Sequence, residues 1–280
     1  HYFWRQLIAA GLGIGGAVVF TRVPLAWFER ISTTMLFVTV AFLVAVLVPG
    51  LGHEVNGSMR WLGLGVITLQ ASEPAKVAVV IYVASYLVRH NKQVRSEFIG
   101  FIKPIGVITF IAGLLLLEPD FGAAVVIFST VLGMLFLAGV PLARFFSWGL
   151  VALAALAALS MLAPYRLQRL VTFMDPWADP FASGFQLTQA LIAFGRGEWL
   201  GVGLGNSVQK LFYLPEVHTD FVFAVIAEEA GLCGSVAVIS LFVFLIWRIF
   251  HVGGQAERAN LYFAAYVTYG IGLLIGIQAF

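Results

Sequence analysis

The sequence predicts an all-α, polytopic helical membrane protein. Hydrophobic residues make up 61% of the 280-residue chain and charged residues only 11%, against about 25% charged in a soluble domain. The apolar residues also gather into runs near the roughly 17–25 residues that cross a bilayer. Eight such runs are present, at 4–20, 31–48, 73–88, 103–117, 121–139, 145–162, 219–250 and 260–280. No basic run points to nucleic acid, and a net charge of +2 is uninformative. The one cysteine, Cys233, lies in an apolar stretch and reads as a packed small side chain.

Trp4, Trp27, Trp61, Trp148, Trp247 and Tyr262 stand near segment ends, where aromatic residues form interfacial belts or simply pack. The run 219–250 is longer than one crossing needs. Its Glu228-Glu229 pair and Gly231 predict a polar, kinked interior rather than two crossings. The crossings place loops 21–30, 89–102, 140–144 and 251–259 on one side. With the helix ends beside them, these carry Arg22, Arg30, Arg89, Lys92, Arg95, Lys103, Arg144, Arg248 and Arg258, most of the 16 Lys and Arg. The positive-inside rule makes that side cytoplasmic. Residues 49–72 and the long loop 163–218 then face outward. Acids gather outward instead. Asp175, Asp179 and Glu198 read as solvated loop. Glu73, Glu118, Asp120 and Asp220, at helix ends or within spans, read as site residues, because ionisable groups in a membrane are costly and usually functional.

The long loop has its own organisation. Asp175-Pro176-Trp177-Ala178-Asp179-Pro180-Phe181 is turn-rich. Residues 185–194 read as a short amphipathic helix, in which Phe185, Leu187, Leu191 and Phe194 are apolar and Gln186 and Gln189 are polar. Gly201, Gly203 and Gly205 predict pliable backbone rather than a phosphate fingerprint, which needs a strand before it and a helix after. In Leu214-Pro215-Glu216-Val217-His218-Thr219-Asp220, Thr219 is placed as an N-cap and Asp220 as the first helical residue. The helix dipole favours an ionised carboxylate there, and burial opposes it. Such a group suits a general base, or it merely caps its helix. His218 reads as a metal ligand or as a residue that orients a neighbour. Glu73 and Lys76 are one turn apart and can pair. Arg60, beside Trp61, is placed to grip a phosphate or to anchor the interface.

Several runs together carry a resemblance. They are Arg60-Trp61, Gln70-x-x-Glu73-x-x-Lys76, Pro119-Asp120-x-Gly122, Asp175-Pro-Trp-x-Asp-Pro180, Phe194-Gly-Arg-Gly197, Gly205-Asn-Ser-Val-Gln-Lys210, Leu214 to Phe221, and Ala227-Glu-Glu-Ala-Gly231. In this order the chain resembles the SEDS family of cell-wall polymerases, and its division branch more than its elongation branch. The match runs through essentially the whole chain. It departs at Ala71 and Pro74, where the family usually has Gln-Pro-x-Glu, at Asn56 in place of a lysine, and at Glu118, where Gln is common. The resemblance implies a ten-span protein, of which the eight runs here lack the first and last span. It implies one SEDS-type transmembrane domain over 1–280, with 163–218 as its extracytoplasmic loop.

The same resemblance implies a peptidoglycan glycosyltransferase that polymerises lipid II at the outer face of the bacterial inner membrane, at the division septum. The donor glycan is carried on undecaprenyl pyrophosphate through an α-linkage and becomes β-1,4-linked, so the anomeric centre inverts. Inversion fits one displacement with a base opposite the leaving group. Asp220 is the implied base. The implied substrate-binding residues are Arg60, Gln70, Glu73, Lys76, Gln186, Gln189, Arg196, Lys210, Glu216, His218 and Thr219, with the cations facing pyrophosphate. A divalent cation, magnesium or manganese, is compatible with that chemistry, although no ligand set is assigned. Implied partners are a class B penicillin-binding protein (a single-span transpeptidase) and regulatory membrane proteins of the divisome. A lipid II flippase and a scaffold that recruits the transpeptidase are the alternative readings. Acids crowding toward one face favour surface chemistry over a transport path.

Overall fold

The computed structural model describes residues 2–50, 52–55, 58–64, 67–161, 168, 171–209 and 220–280. Its helices are α1 (Tyr2–Arg22), α2 (Leu25–Leu47), α3 (Ser72–Arg89), α4 (Asn91–Ser96), α5 (Phe98–Leu117), α6 (Phe121–Leu137), α7 (Leu142–Met161), α8 (Phe185–Gly197), α9 (Val222–Arg258) and α10 (Tyr262–Ala279). Packing divides the chain into two compact units, one of His1–Phe145 with Arg248–Phe280 and the other of Phe146–Trp247.

The all-α expectation needs one correction. Strands β1 (Gly52–Val55), β2 (Ser58–Leu64) and β3 (Ile67–Gln70) form an antiparallel meander between α2 and α3. Val55 pairs with Ser58, and Leu64 with Ile67. A polar segment that leaves a helix must still pair its backbone groups, and short strands do this locally. The dipeptide Asn56-Gly57 between two runs is a hairpin signal in the sequence. Its own structure lies outside the described residues.

In the first unit α3 is the central helix. It packs against α2, α6 and α10. Ala75, Ala78, Val79, Val80, Val83, Ala84 and Leu87 are all buried on it. Small and β-branched side chains let helices approach closely where lipid supplies no hydrophobic drive between them. At Gly270 on α10 a Cβ would meet the Val80 and Met134 side chains at 2.5 and 2.8 Å, so any larger residue would have to displace both.

Helix α5 starts earlier than the expected residue 103 and carries Pro104 inside it. Proline lacks the N–H that would bond the carbonyl of Gly100. The Tyr86 hydroxyl donates to that carbonyl instead, at 2.8 Å, and the helix continues through the proline. At the same end Arg95 donates to the carbonyl of Ala138, and Arg144 to those of Arg95, Ser96 and Glu97. These basic side chains therefore fasten helix ends.

Among the described residues four helices are long and apolar enough to cross a membrane: α2, α5, α9 and α10. Gln6–Arg22, Phe121–Leu137 and Leu142–Val151 are apolar but shorter. The most apolar window of α9 is only 11% buried, against 39% for that of α5. An apolar helix left that bare is suited to lipid rather than water. Cys233 corrects its own expectation for this reason, since it is exposed on α9 rather than packed.

Candidate functional site

The second unit holds the site, and α9 organises it. Gly231 has φ 65° and ψ −162°, which interrupts the helix and bears out the expected kink. In an unbroken helix Leu232 would donate to Glu228, and Cys233 to Glu229. Here those four backbone groups turn to a strap that follows α8. Val202 and Gly203 donate to the carbonyls of Glu228 and Glu229 at 3.0 and 3.1 Å. Leu232 and Cys233 donate to the carbonyls of Glu198 and Trp199 at 2.9 and 3.1 Å. A Cβ on Gly231 would lie 2.4 Å from the backbone nitrogen of Gly201. Broken helices are tolerated where neighbouring groups re-satisfy the freed backbone.

Below the strap lies Glu228, fully buried. Its carboxyl accepts from Arg196 Nη1 at 3.3 Å, from the Ser207 hydroxyl, and from the backbone N–H of Val208 and Gln209 at 3.2 and 3.4 Å. The sequence reading marked Glu228 as polar interior only. A carboxyl that close to a helix break was the available signal.

Helix α8 confirms the expected helix and extends it to Gly197, but it buries Thr188, Ala190 and Ala193 while Leu191 and Phe194 stay exposed. Ala190 and Ala193 pack with Ala224 of α9 and with Phe221, and Phe194 meets Phe223 at a ring separation of 5.7 Å. The turn before α8 is a short 3₁₀ segment, Pro176–Ala178, anchored where Thr188 Oγ1 donates to the Pro176 carbonyl at 3.1 Å. Asp179 accepts from the Ser183 N–H and hydroxyl, and these bonds hold its carboxyl below the usual aspartate range.

Asp220 differs from its expected position. The Phe221 carbonyl accepts from Ala224 and Val225, so Phe221 caps α9 and Asp220 stands just ahead of the helix rather than as its first residue. Packing of Phe221 into the alanine cluster explains the shift. Asp220 is exposed. It borders a groove of about 720 Å³ together with Gln168, Thr172, Phe173, Ala182, Ser183, Phe185, Gln186, Leu187 and Phe221. Aromatic and aliphatic side chains share its lining with the amides of Gln168 and Gln186 and the hydroxyls of Thr172 and Ser183.

The structure thus brings Asp220 and Gln186 together. Gln189 is half-buried on α8 and does not line that groove. Arg196 keeps 45% of its side chain exposed while bound to Glu228. Lys210, Glu216, His218 and Thr219 lie outside the described residues. Four other expected residues belong to the first unit. Arg60 donates to the carbonyls of Glu118 and Pro119, Gln70 to Asp120 Oδ2 at 3.1 Å, and Lys76 pairs with Glu73 at 2.8 Å. Lys76 is buried, while the Glu73 side chain is 57% exposed. Sequence reading missed Gln168, Thr172 and Ser183, which carry no motif of their own. Among the described residues no group of three or more His, Cys, Asp or Glu gathers to hold a metal.

Fold and site define a helical membrane protein with a carboxylate at the mouth of a groove, held beside a broken helix. The chain belongs to the FtsW/RodA/SpoVE family, whose model, described as "Cell cycle protein", matches residues 1–280. It is 57% identical over 279 residues to the "Probable peptidoglycan glycosyltransferase FtsW" of Hahella chejuensis, covering all of this chain and 70% of that protein. It is 56% identical over 280 residues to the protein of the same name in Nitrosococcus halophilus, covering all of this chain and 72% of that one. Among solved structures, one described as "Structural coordination of polymerization and crosslinking by a peptidoglycan synthase complex" aligns with a TM-score of 0.79 at 28% identity, over 99% of this chain and 76% of that chain. The rod shape determining protein RodA of Thermus thermophilus aligns at 0.68 and 25%, over 99% and 73%.

Proposed function

We propose that this chain is a peptidoglycan glycosyltransferase of the division type, polymerising lipid II, with Asp220 as the general base of an inverting transfer. One observation carries the base assignment: an exposed carboxylate borders a groove large enough for a sugar, whose lining also includes Gln186 and Ser183. The groove's described lining includes one carboxylate, Asp220. The base takes the proton of the acceptor hydroxyl as that oxygen attacks the anomeric carbon. The bond to pyrophosphate breaks on the opposite face, and its charge calls for cations. Arg196, half exposed in the same unit, and Lys210, next after Gln209 in the chain, are the proposed contacts there. Arg60, Gln70, Glu73 and Lys76 are further proposed substrate-binding residues. A divalent cation would lean chiefly on the pyrophosphate oxygens, as magnesium commonly does.

The membrane setting supports this reading, because donor and acceptor are both lipid-linked. The proposed topology has eight crossings in this chain, the segment 163–218 outside, and the groove facing the periplasm at the septum. One structural relative belongs to a complex that couples polymerisation with crosslinking. A class B penicillin-binding protein is the proposed crosslinking partner, with divisome membrane proteins as regulators.

The test replaces Asp220 with Asn in the full-length protein and follows glycan formation from lipid II. Polymerisation should fall by at least about a hundredfold, the usual scale of a lost general base. Folding and partner binding should persist. Undiminished polymerisation by the Asn variant would sink the base assignment. Polymerisation retained while lipid movement across vesicles is lost would favour the flippase.

A further inference from the structure

Among the described residues, two hydroxyls line the Asp220 groove, those of Thr172 and Ser183. A hydroxyl has one hydrogen to give and two lone pairs to offer, so its protein partner decides what it shows a ligand. Both hydroxyls here are committed. The Ser183 hydroxyl lies 3.0 Å from Asp179 Oδ2, and Thr172 Oγ1 lies 3.4 Å from the Ser183 oxygen. An ionised carboxylate only accepts, so the Ser183 hydrogen goes to Asp179 and the Thr172 hydrogen to Ser183. The Ser183 N–H, and then the Ser183 hydroxyl, hold the Asp179 carboxyl below the usual aspartate range, which keeps it ionised at neutral pH. The relay therefore runs from Thr172 to Ser183 to Asp179 and leaves both hydroxyls with lone pairs for a ligand.

Asp179 does not itself line the groove. The turn before α8 fixes it. Its Oδ2 also accepts the Ser183 N–H at 3.1 Å, and its carbonyl accepts the Gly184 N–H at 2.9 Å. The same turn is tied to α8 through the buried Thr188 hydroxyl, which donates to the Pro176 carbonyl. Gly184 closes it, because a Cβ there would collide with the Pro176 and Asp179 carbonyl oxygens. A carboxylate on such a turn is set before a ligand arrives, which lowers the ordering cost of binding. The groove thus offers the lone pairs of Thr172 and Ser183 together with the Asp220 carboxylate, and its described lining includes no Lys or Arg. A pyrophosphate calls for cations and is not served there. A sugar brings hydroxyl and amide hydrogens of its own, and these suit the lone pairs.

We propose that Asp179 is a positioning residue for the attacking sugar. By taking the Ser183 hydrogen it makes Ser183 and Thr172 receivers for an O–H or N–H of the sugar whose hydroxyl Asp220 deprotonates. The groove is then the subsite of that sugar, and pyrophosphate lies outside it. This rests on the polymerase reading above.

The experiment uses the full-length protein in nanodiscs, with Ser183→Ala, Asp179→Ala and the two combined. Two probes are titrated: lipid II, and undecaprenyl pyrophosphate, which carries the tail and the charge without a sugar. Ser183→Ala keeps the backbone N–H that bonds Asp179, so it removes the hydroxyl and leaves the turn in place. Its Kd for lipid II should rise about five- to tenfold, the scale of one lost hydrogen bond. Its Kd for undecaprenyl pyrophosphate should not change. Asp179→Ala should raise the lipid II Kd by a smaller factor, because the freed hydroxyl still has lone pairs but no fixed direction. The combined variant should match Ser183→Ala alone, since Asp179 acts only through that hydroxyl. If Asp179→Ala fails to fold, Asp179→Asn makes the same comparison with a weaker, neutral oxygen. A lipid II Kd unmoved by Ser183→Ala overturns the sugar contact. Equal losses for both probes overturn the exclusion of pyrophosphate from the groove. A combined variant that is worse than Ser183→Ala by the full Asp179→Ala factor overturns the positioning role and leaves Asp179 as a structural residue of the turn. A native protein that binds lipid II but makes no polymer overturns the polymerase reading, and the two-probe comparison still judges the groove.

Discussion

Glu118 shows how one side chain ties stability to pH. It follows α5, only 1% exposed, and among the described residues neither carboxyl oxygen has a hydrogen-bond partner. Burial, and then the neighbouring Asp120, push its pKa from 4.5 up to about 8, with Arg60 opposing. The folded state therefore holds a proton that the unfolded state releases near 4.5. Stability from this group is fully present below that value and is lost as pH rises toward 8. Glu118→Gln keeps the shape and removes the titration. Its Tm should exceed that of the native protein at pH 8–9, and the gap should close near pH 5. An equal gap at both pH values would refute the buried-acid explanation. The sequence marked Glu118 as a site residue because acids near membrane segments are usually functional. The structure adds a burial cost at that position, which no spacing rule could reveal.

At the scale of elements, the two irregular helices are resolved by different partners. Helix α5 keeps its course through Pro104 because the Tyr86 hydroxyl accepts the role of the missing N–H toward Gly100. Helix α9 breaks at Gly231 because the strap takes over its backbone groups. Gly231→Ala tests the second case. Its φ of 65° is unfavourable for a side chain, and the added Cβ would meet backbone atoms of Trp199, Leu200 and Gly201 between 2.4 and 2.7 Å. The expected cost is about 2 kcal/mol or more, from strain plus clash. Thermal unfolding in detergent checks it, and an unchanged Tm would show that the break is not needed. The kink was legible from Glu228, Glu229 and Gly231. Its strap was not, because its hydrogen bonds join residues about thirty positions apart, beyond any helical period.

At the scale of the whole chain, several described helices leave apolar faces bare while polar side chains go inside. The central α3 carries Lys76, Ser72, Ser85 and Tyr86 inside, while long apolar stretches of α1, α7 and α9 stay bare. Lipid as solvent explains both, since it satisfies an apolar surface and rejects a charged one. Single-cysteine labelling tests the proposed topology in a Cys233→Ala background. A membrane-impermeant maleimide added from the periplasmic side should label a cysteine at Gln186 and spare one at Lys92. Labelling of Lys92→Cys from that side would overturn the eight-crossing arrangement.

The sequence by itself determined the membrane class, the order of the apolar segments, the kink in α9, the presence of helix α8 and the family. Each of these depends on composition or on neighbours within a few residues. Only tertiary structure decided the sheet between α2 and α3, the exposure of Cys233, the placing of Asp220 ahead of its helix, and the burial of Glu228 under the strap. Those features follow from packing between distant segments: Phe221 sits among alanines of α8, and one buried carboxyl draws its donors from residues 196–209.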